Sequence, residues 1–331
     1  MKTLVPKLER EQHYSCADQM EVVFSMDKAK LYHFKGGESN GKPVLLLYAL
    51  INKPYIMDFD KEMSFVRGLM EQGLDVYLMD WGEPSRDERY LTLDNYIEWY
   101  LHGAIKTIKE RHQLEKIPLI MLCQGGVLGC IYTSLHPEDI SSIVPIATPV
   151  DFSGMAHSIF NVATEVKGDA FIDAYGLVPP SMLNSGLLFA KPFEAYIDRY
   201  TELFENRKKK DFVFGFMKME RWNFDSPTQA SNALLQWLND VWKENKLLKG
   251  TLNIGGRKVD LKNIKVPTFI ILGTKDDFAP LEATSPLKDV IGSKVIDQKE
   301  YPEDHLGLVA STRAKNEIAK DIAQWLKKVE K

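Results

Sequence analysis

Cysteine is scarce: a chain of 331 residues carries three, Cys16, Cys123 and Cys130. So few thiols cannot build a disulfide framework, and a chain this long has to be held by a buried core. Long apolar runs are missing too. The uninterrupted ones are strand length, well short of the roughly 20 residues that cross a bilayer, so no transmembrane segment is expected. The opening MKTLVPKLEREQ has no apolar stretch of the kind an export signal carries, and an intracellular location is expected. No sign of charge dominates. Lys and Arg total 42 against 46 Asp and Glu, a net of −4, and no global basic field points to nucleic acid. The one dense basic run, Arg207-Lys208-Lys209-Lys210, reads better as a solvated helix end than as a phosphate site. Internal repeats and low-complexity segments are absent as well.

What is present is an alternation. Short apolar runs, Val44 to Leu50, Asp75 to Met79, Leu119 to Leu122, Ile143 to Ala147, Thr268 to Leu272 and Lys294 to Lys299, alternate with longer helical patterns. That rhythm predicts an α/β fold with a parallel sheet covered on both faces. Lys61 to Gln72 reads as a helix ended by Gly73, Thr92 as the cap of a helix running to about Arg111, and Gln124 to Leu135 as a third. Ser311 can cap a final amphipathic helix with Ile318, Ile322 and Trp325 on one face. The middle of the chain breaks the rhythm. Residues 151–262 are rich in Phe, Met, Trp and Tyr and hold several helical stretches without a strand series. They read as a cap inserted between residues 1–150 and 263–331 of the sheet domain, their aromatics serving either the cap's own core or a substrate channel.

Cys123 stands at the most informative turn. The apolar run Pro118-Leu119-Ile120-Met121-Leu122 leads into it and Gln124-Gly125-Gly126 follows. A strand, a sharp turn and a helix start are the setting in which an α/β-hydrolase keeps its nucleophile, with the backbone N–H of the next residue, here Gln124, in the oxyanion hole. Gly125 supplies the small residue two positions on, whereas Met121 stands two positions before, where a glycine is usual. A thiolate is a better acceptor for a thioester than a hydroxyl, so sulfur here points to acyl transfer from a carrier such as CoA. Cys16, in the polar N-terminal segment, and Cys130, seven residues along the predicted helix, read as ordinary buried thiols.

An activated Cys needs a base, and the base needs an acid to orient it, in the chain order nucleophile, acid, His. Among seven His, only His305 lies in a loop between the last strand and the last helix; His13, His33, His102, His112, His136 and His157 read as surface or core-bonded groups. The acid comes from the loop after Phe269 to Gly273, where Asp276 and Asp277 compete. Asp276 is favoured because Pro280, four residues on, closes the loop. The second oxyanion N–H is expected from the turn Ala49-Leu50-Ile51-Asn52 after the first core strand, with Leu50 as the candidate.

The chain resembles a polyhydroxyalkanoate synthase catalytic subunit over most of its length. The resemblance rests on LLLYALINKPYIMD at 45–58, MDWGEPSRDERYLTLDNYI at 79–97, CQGG at 123–126, ATPVDFSG at 147–154, MERWNFDSPTQA at 219–230 and DHLG at 304–307. Short length and the Cys-Gln-Gly-Gly turn are most similar to class III, which works with a separate noncatalytic partner subunit; class IV, with a different small partner, is the near alternative. The resemblance implies an α/β-hydrolase fold with Cys123 as acyl-carrying nucleophile, His305 as general base and Asp276 as its acid. It also implies a 3-hydroxyacyl-CoA substrate, association with polymer granules in the cytoplasm, a homodimer, and neither resident cofactor nor metal, CoA being part of the substrate. Two departures from the family pattern are Met121 and the pair Asp276-Asp277, where Asp-His is usual. A Cys-dependent thioesterase or intracellular polyester depolymerase is the rival enzyme, and a nonenzymatic granule-binding homologue is the third reading.

Overall fold

A computed structural model describes residues 14–35, 41–153, 176–182 and 197–330. Eight strands form one sheet: β1 (Met20–Met26), β2 (Ala29–Phe34), β3 (Lys42–Leu47), β4 (Leu74–Asp80), β5 (Ile117–Leu122), β6 (Ile140–Ile146), β7 (Thr268–Gly273) and β8 (Ile296–Tyr301). Their spatial order is β1-β2-β4-β3-β5-β6-β7-β8. The β1–β2 and β2–β4 pairs are antiparallel and every later pair is parallel.

Alternation along the strands sorts their side chains into two buried layers. Leu45, Leu47, Leu119 and Met121 enter one apolar cluster, while Val44, Leu46, Ile120 and Leu122 enter the other. Helix α2 (residues 93–112) and helix α3 (Cys123–Leu135) cover the first face with Tyr96, Ile97, Tyr100, Val127, Leu128 and Ile131. Phe152, Trp237 and Trp242, from the aromatic middle of the chain, join that same cluster. The second face is covered by α1 (Phe65–Glu71) and by the helix ending the chain, through Phe65, Val66, Leu69, Ile318, Ile322 and Trp325.

The six expected strands are all present, shifted by a few residues at their ends. The β1–β2 hairpin was not anticipated, because β1 is half exposed along its length and offers no continuous apolar run. Cys16, just before it, is fully buried although its segment reads as polar. Helix α1 is shorter than Lys61 to Gln72: Ser64 Oγ accepts the Arg67 N–H at 2.9 Å and starts it there. Gly73 follows its end with φ +83°, the left-handed value its position called for. Thr92 caps α2 in a reciprocal pair with Asn95, and Ser311 Oγ accepts the Ala314 N–H at 3.0 Å at the start of the last helix. Within 151–262 the described residues form helices, including α4 (Lys210–Phe224), and two ribbons of two-residue strands, one pairing Leu177–Val178 with Gln229–Ala230. His13, His157 and Gly154 lie outside the described residues. No helix among those described is long and apolar enough to cross a membrane.

Helix α1 lies unusually close to the last helix. A Cβ on Gly68 would sit 2.4 Å from the Lys315 carbonyl oxygen and 3.0 Å from Ala319 Cβ. Alanine gains about 1 kcal/mol in helix propensity, but overpacking costs about 1–3 kcal/mol, and the obstacle here is backbone. Gly68→Ala is therefore expected to lower the urea midpoint; a raised midpoint would show that the two helices separate freely.

Candidate active site

Three of the six non-glycine residues with positive φ among the described residues follow strands at one end of the sheet. Cys123 follows β5 with φ +54°, Ala147 follows β6 with φ +44°, and Asn52 lies in the loop after β3 with φ +63°. None is glycine, β5 lies between β3 and β6, and all three residues sit at the strands' C-terminal ends. Left-handed residues of this kind persist only where their surroundings hold them, and they gather at functional sites.

The surroundings of Cys123 show what holds it. Helix α3 begins at Cys123 with no residue of slack, and its first turn is pressed against the neighbouring strands. A Cβ on Gly125 would lie 2.5 Å from the Tyr48 carbonyl oxygen and 2.7 Å from that of Leu47; one on Gly126 would lie 1.9 Å from Thr148 Oγ1. The Met121 side chain, unusual at its position, is accommodated one turn further along the helix: a Cβ on Gly129 would lie 2.1 Å from Met121 Sδ. The missing glycine of the strand is thus answered by a glycine of the helix.

His305, in the loop after β8, donates its Nδ1–H to Asp276 Oδ2 at 2.7 Å. Asp276 is itself fixed, its Oδ1 accepting the N–H groups of Phe278 at 2.9 Å and Ala279 at 2.8 Å. Its side chain is fully buried, whereas Asp277 is exposed. The geometry therefore brings Asp276, and not its neighbour, to His305. Burial would lower the His305 pKa, but the charges and hydrogen bonds of Cys123 and Asp276 outweigh it and hold the imidazole well above its ordinary value. Cys123 is half-buried at the edge of the second apolar cluster. Tyr48 is a group the sequence did not flag: burial, and then the charge of Cys123, push its phenol up.

The N–H of Gln124 belongs to the first turn of α3, where no preceding turn can accept it. Leu50 departs from expectation. Its N–H is donated to Gln124 Oε1 at 2.9 Å, so a neighbouring side chain already occupies the donor assigned to the oxyanion. The other described His are bonded elsewhere: His33 to Asp75 and Glu21, His112 to Tyr77, His102 to Tyr132, and His136 to Glu98.

Among the described residues, His102, His136 and Asp139 place potential metal-ligand atoms within 4.8 Å of one another. This cluster precedes β6 and so lies at the opposite end of the sheet from Cys123. Asp139 takes the Lys109 ammonium on one oxygen and the Tyr132 hydroxyl, at 2.6 Å, on the other, while Arg257 lies 2.7 Å from His136. Two standing cations fill the role a metal would take, and the cluster is a structural network.

A mostly parallel sheet with a left-handed cysteine turn after its fifth strand, and an aspartate and a histidine after the seventh and eighth, has the architecture of an α/β hydrolase. Residues 42–308 match the family described as the alpha/beta hydrolase fold. Solved structures share the fold: a lipase-like protein of Sulfolobus solfataricus superposes with TM-score 0.60 at 16% identity, covering 97% of this chain and 98% of that one. A monoacylglycerol lipase of Paleococcus ferrophilus gives 0.53 at 16%, covering 89% and 98%. In sequence the chain is 34% identical to the poly(3-hydroxyalkanoate) polymerase subunit PhaC of Allochromatium vinosum, over 92% of this chain and 87% of that protein. It is 35% identical to the PhaC of Synechocystis, over 92% and 83%. The chain belongs to the poly(3-hydroxyalkanoate) polymerase PhaC family of α/β hydrolases.

Two tests separate the thiols and the acids. Burial raises Cys16 to a pKa of about 11 and Cys130 to about 12. Iodoacetamide at pH 8 is therefore expected to alkylate Cys123 first, with Cys16 and Cys130 reacting only on unfolding; mass mapping that finds Cys16 or Cys130 modified first in the native protein would contradict the assignment. Asp276→Asn should lower turnover by about 10²–10⁴-fold, as loss of the orienting acid does in such triads. Asp277→Asn should leave turnover near wild type, and the reverse order would reassign the acid.

Proposed function

We propose that this protein polymerises 3-hydroxyacyl groups from their CoA thioesters, 3-hydroxybutyryl-CoA foremost, through a covalent thioester on Cys123. The observation that carries the proposal is the arrangement of Cys123 on a left-handed turn, beside a histidine that a buried, doubly hydrogen-bonded carboxylate holds in place. Membership of the PhaC family supplies the substrate class.

In the first half-reaction His305 takes the Cys123 proton and the sulfur attacks the thioester carbonyl. The carbonyl oxygen becomes an oxyanion received by backbone N–H groups at the start of α3 and in the loop after β3. When the C–S bond to CoA breaks, the departing thiolate takes the proton from His305. Thioester is exchanged for thioester, so the acyl group stays activated. In the second half-reaction the hydroxyl of another acyl unit attacks the Cys123 thioester, His305 accepts its proton, an oxoester forms, and the proton returns to the sulfur. The raised pKa of His305 suits the step in which it must keep its proton until a thiolate leaves.

Water competes with that hydroxyl throughout. We assign residues 151–262 the part of a cap that limits its access, in keeping with Trp222 and Met219, which pack in the apolar cluster that Cys123 borders. The relatives are named as subunits, which supports a noncatalytic synthase partner, of the class III kind by resemblance. Action at the surface of polymer granules in the cytoplasm, as a homodimer, belongs to the same proposal.

Purified Cys123→Ala and His305→Gln proteins are expected to release CoA from 3-hydroxybutyryl-CoA at least about 10³-fold more slowly than wild type. Near-normal release by the cysteine variant would sink the proposal. Free hydroxy acid without polymer from the wild type would mark a hydrolase instead.

A further inference from the structure

The loop that follows β3 is held from outside the sheet. Lys218 Nζ donates to the Phe59 carbonyl at 3.0 Å, Trp222 Nε1 to the Lys53 carbonyl at 2.9 Å, and Ser226 Oγ to Asn52 Oδ1. Asp225 accepts from Lys53 Nζ at 2.5 Å and from the Tyr55 hydroxyl at 3.2 Å. At the near end of this strap Gln229 Nε2 donates to the Leu50 carbonyl at 2.6 Å. A carbonyl oxygen can only accept, so the orientation of the Gln229 amide is fixed by its partner.

Leu50 is therefore gripped at both ends, its N–H by Gln124 Oε1 and its carbonyl by Gln229 Nε2. Gln124, Leu50 and Gln229 are all buried. Gln124 is the residue next to Cys123, so the gripped peptides lie directly against the turn that carries the thiol. The N–H groups of Ala49 and Asn52 meet no acceptor among the described residues, and neither does that of Ile51, a half-buried residue. The Ile51 N–H belongs to the same planar peptide as the Leu50 carbonyl, and in a trans peptide the two point in opposite directions. Holding the carbonyl fixes where that N–H is aimed.

We infer that Gln229 is a positioning residue for carbonyl activation: through the Leu50 carbonyl it aims the Ile51 N–H at the substrate oxyanion, opposite the N–H of Gln124. This rests on the acyl-transfer reading of Cys123. It makes the 218–229 strap a determinant of turnover, and any displacement of the strap a way of switching the oxyanion hole off. The signal was in the sequence: the block MERWNFDSPTQA contains Trp222, Asp225, Ser226 and Gln229, but the spacing of these residues did not reveal their common target.

The test uses full-length Gln229→Met, which keeps the length and loses the donor, and Gln229→Glu, which donates only when protonated. CoA release from 3-hydroxybutyryl-CoA is followed across pH, beside wild type and Cys123→Ala. Loss of a donor from such a hole lowers turnover about 10²–10³-fold, and a residue acting through its peptide should cost at least about tenfold in kcat with KM little changed. The ratio of Gln229→Glu to wild-type kcat should rise as pH falls. A Gln229→Met enzyme of wild-type kcat, or a Gln229→Glu ratio flat with pH, overturns the inference; the second readout decides alone if the Met variant does not fold. Wild type that releases no CoA, or Cys123→Ala that releases it normally, would instead overturn the acyl-transfer reading and this inference with it.

Discussion

Everything around Cys123 depends on one backbone constraint: a non-glycine residue kept in the left-handed region between β5 and α3. Such a residue costs on the order of 1–3 kcal/mol and survives only where packing on every side over-determines it. Here the packing is visible atom by atom. Gly125 and Gly126 let the first turn of α3 press against the carbonyls of Leu47 and Tyr48 and against Thr148. A side chain at either position would push the helix off the sheet and relax the turn. The same closeness lets the Gln124 side chain reach the Leu50 N–H, so the elbow and the loop after β3 form one rigid unit.

Rigidity of that unit is what the chemistry needs. A thiol, an imidazole and an oxyanion hole act together only if their spacing survives thermal motion, and backbone donors do not reorient when charge appears. The buried carboxylate of Asp276 extends the same logic to His305, since two backbone N–H groups hold one oxygen and leave the other for the imidazole. The parallel sheet supplies the frame: β3, β5, β6 and β7 run side by side and end at the same edge, so loops distant in sequence meet there.

The central strands were legible because burial on both faces writes a continuous apolar run, as in Leu119 to Leu122. The β1–β2 hairpin was not, because an edge strand with one wet face leaves only a broken pattern. His305 could be singled out by its place between the last strand and the last helix, but the choice of Asp276 over Asp277 rested on the position of Pro280 alone; burial and three hydrogen bonds distinguish them in space. Met121 looked like a defect because its compensation, Gly129, is eight residues away and meets it only once α3 packs down. Leu50 was assigned a free N–H because nothing in a sequence shows that a neighbouring glutamine can fold back onto the main chain. Local pattern reveals elements; who satisfies whom across the fold is a tertiary fact.

The central claim is that Cys123 carries the acyl group, and it can be observed directly. Wild-type protein mixed with 3-hydroxybutyryl-CoA, quenched in acid within the first turnovers and digested, would be mapped by mass spectrometry. The account predicts a 3-hydroxybutyryl adduct on the peptide containing Cys123, with the Cys16 and Cys130 peptides unmodified. Steady release of CoA with Cys123 never acylated, or an adduct on a different residue, would contradict it.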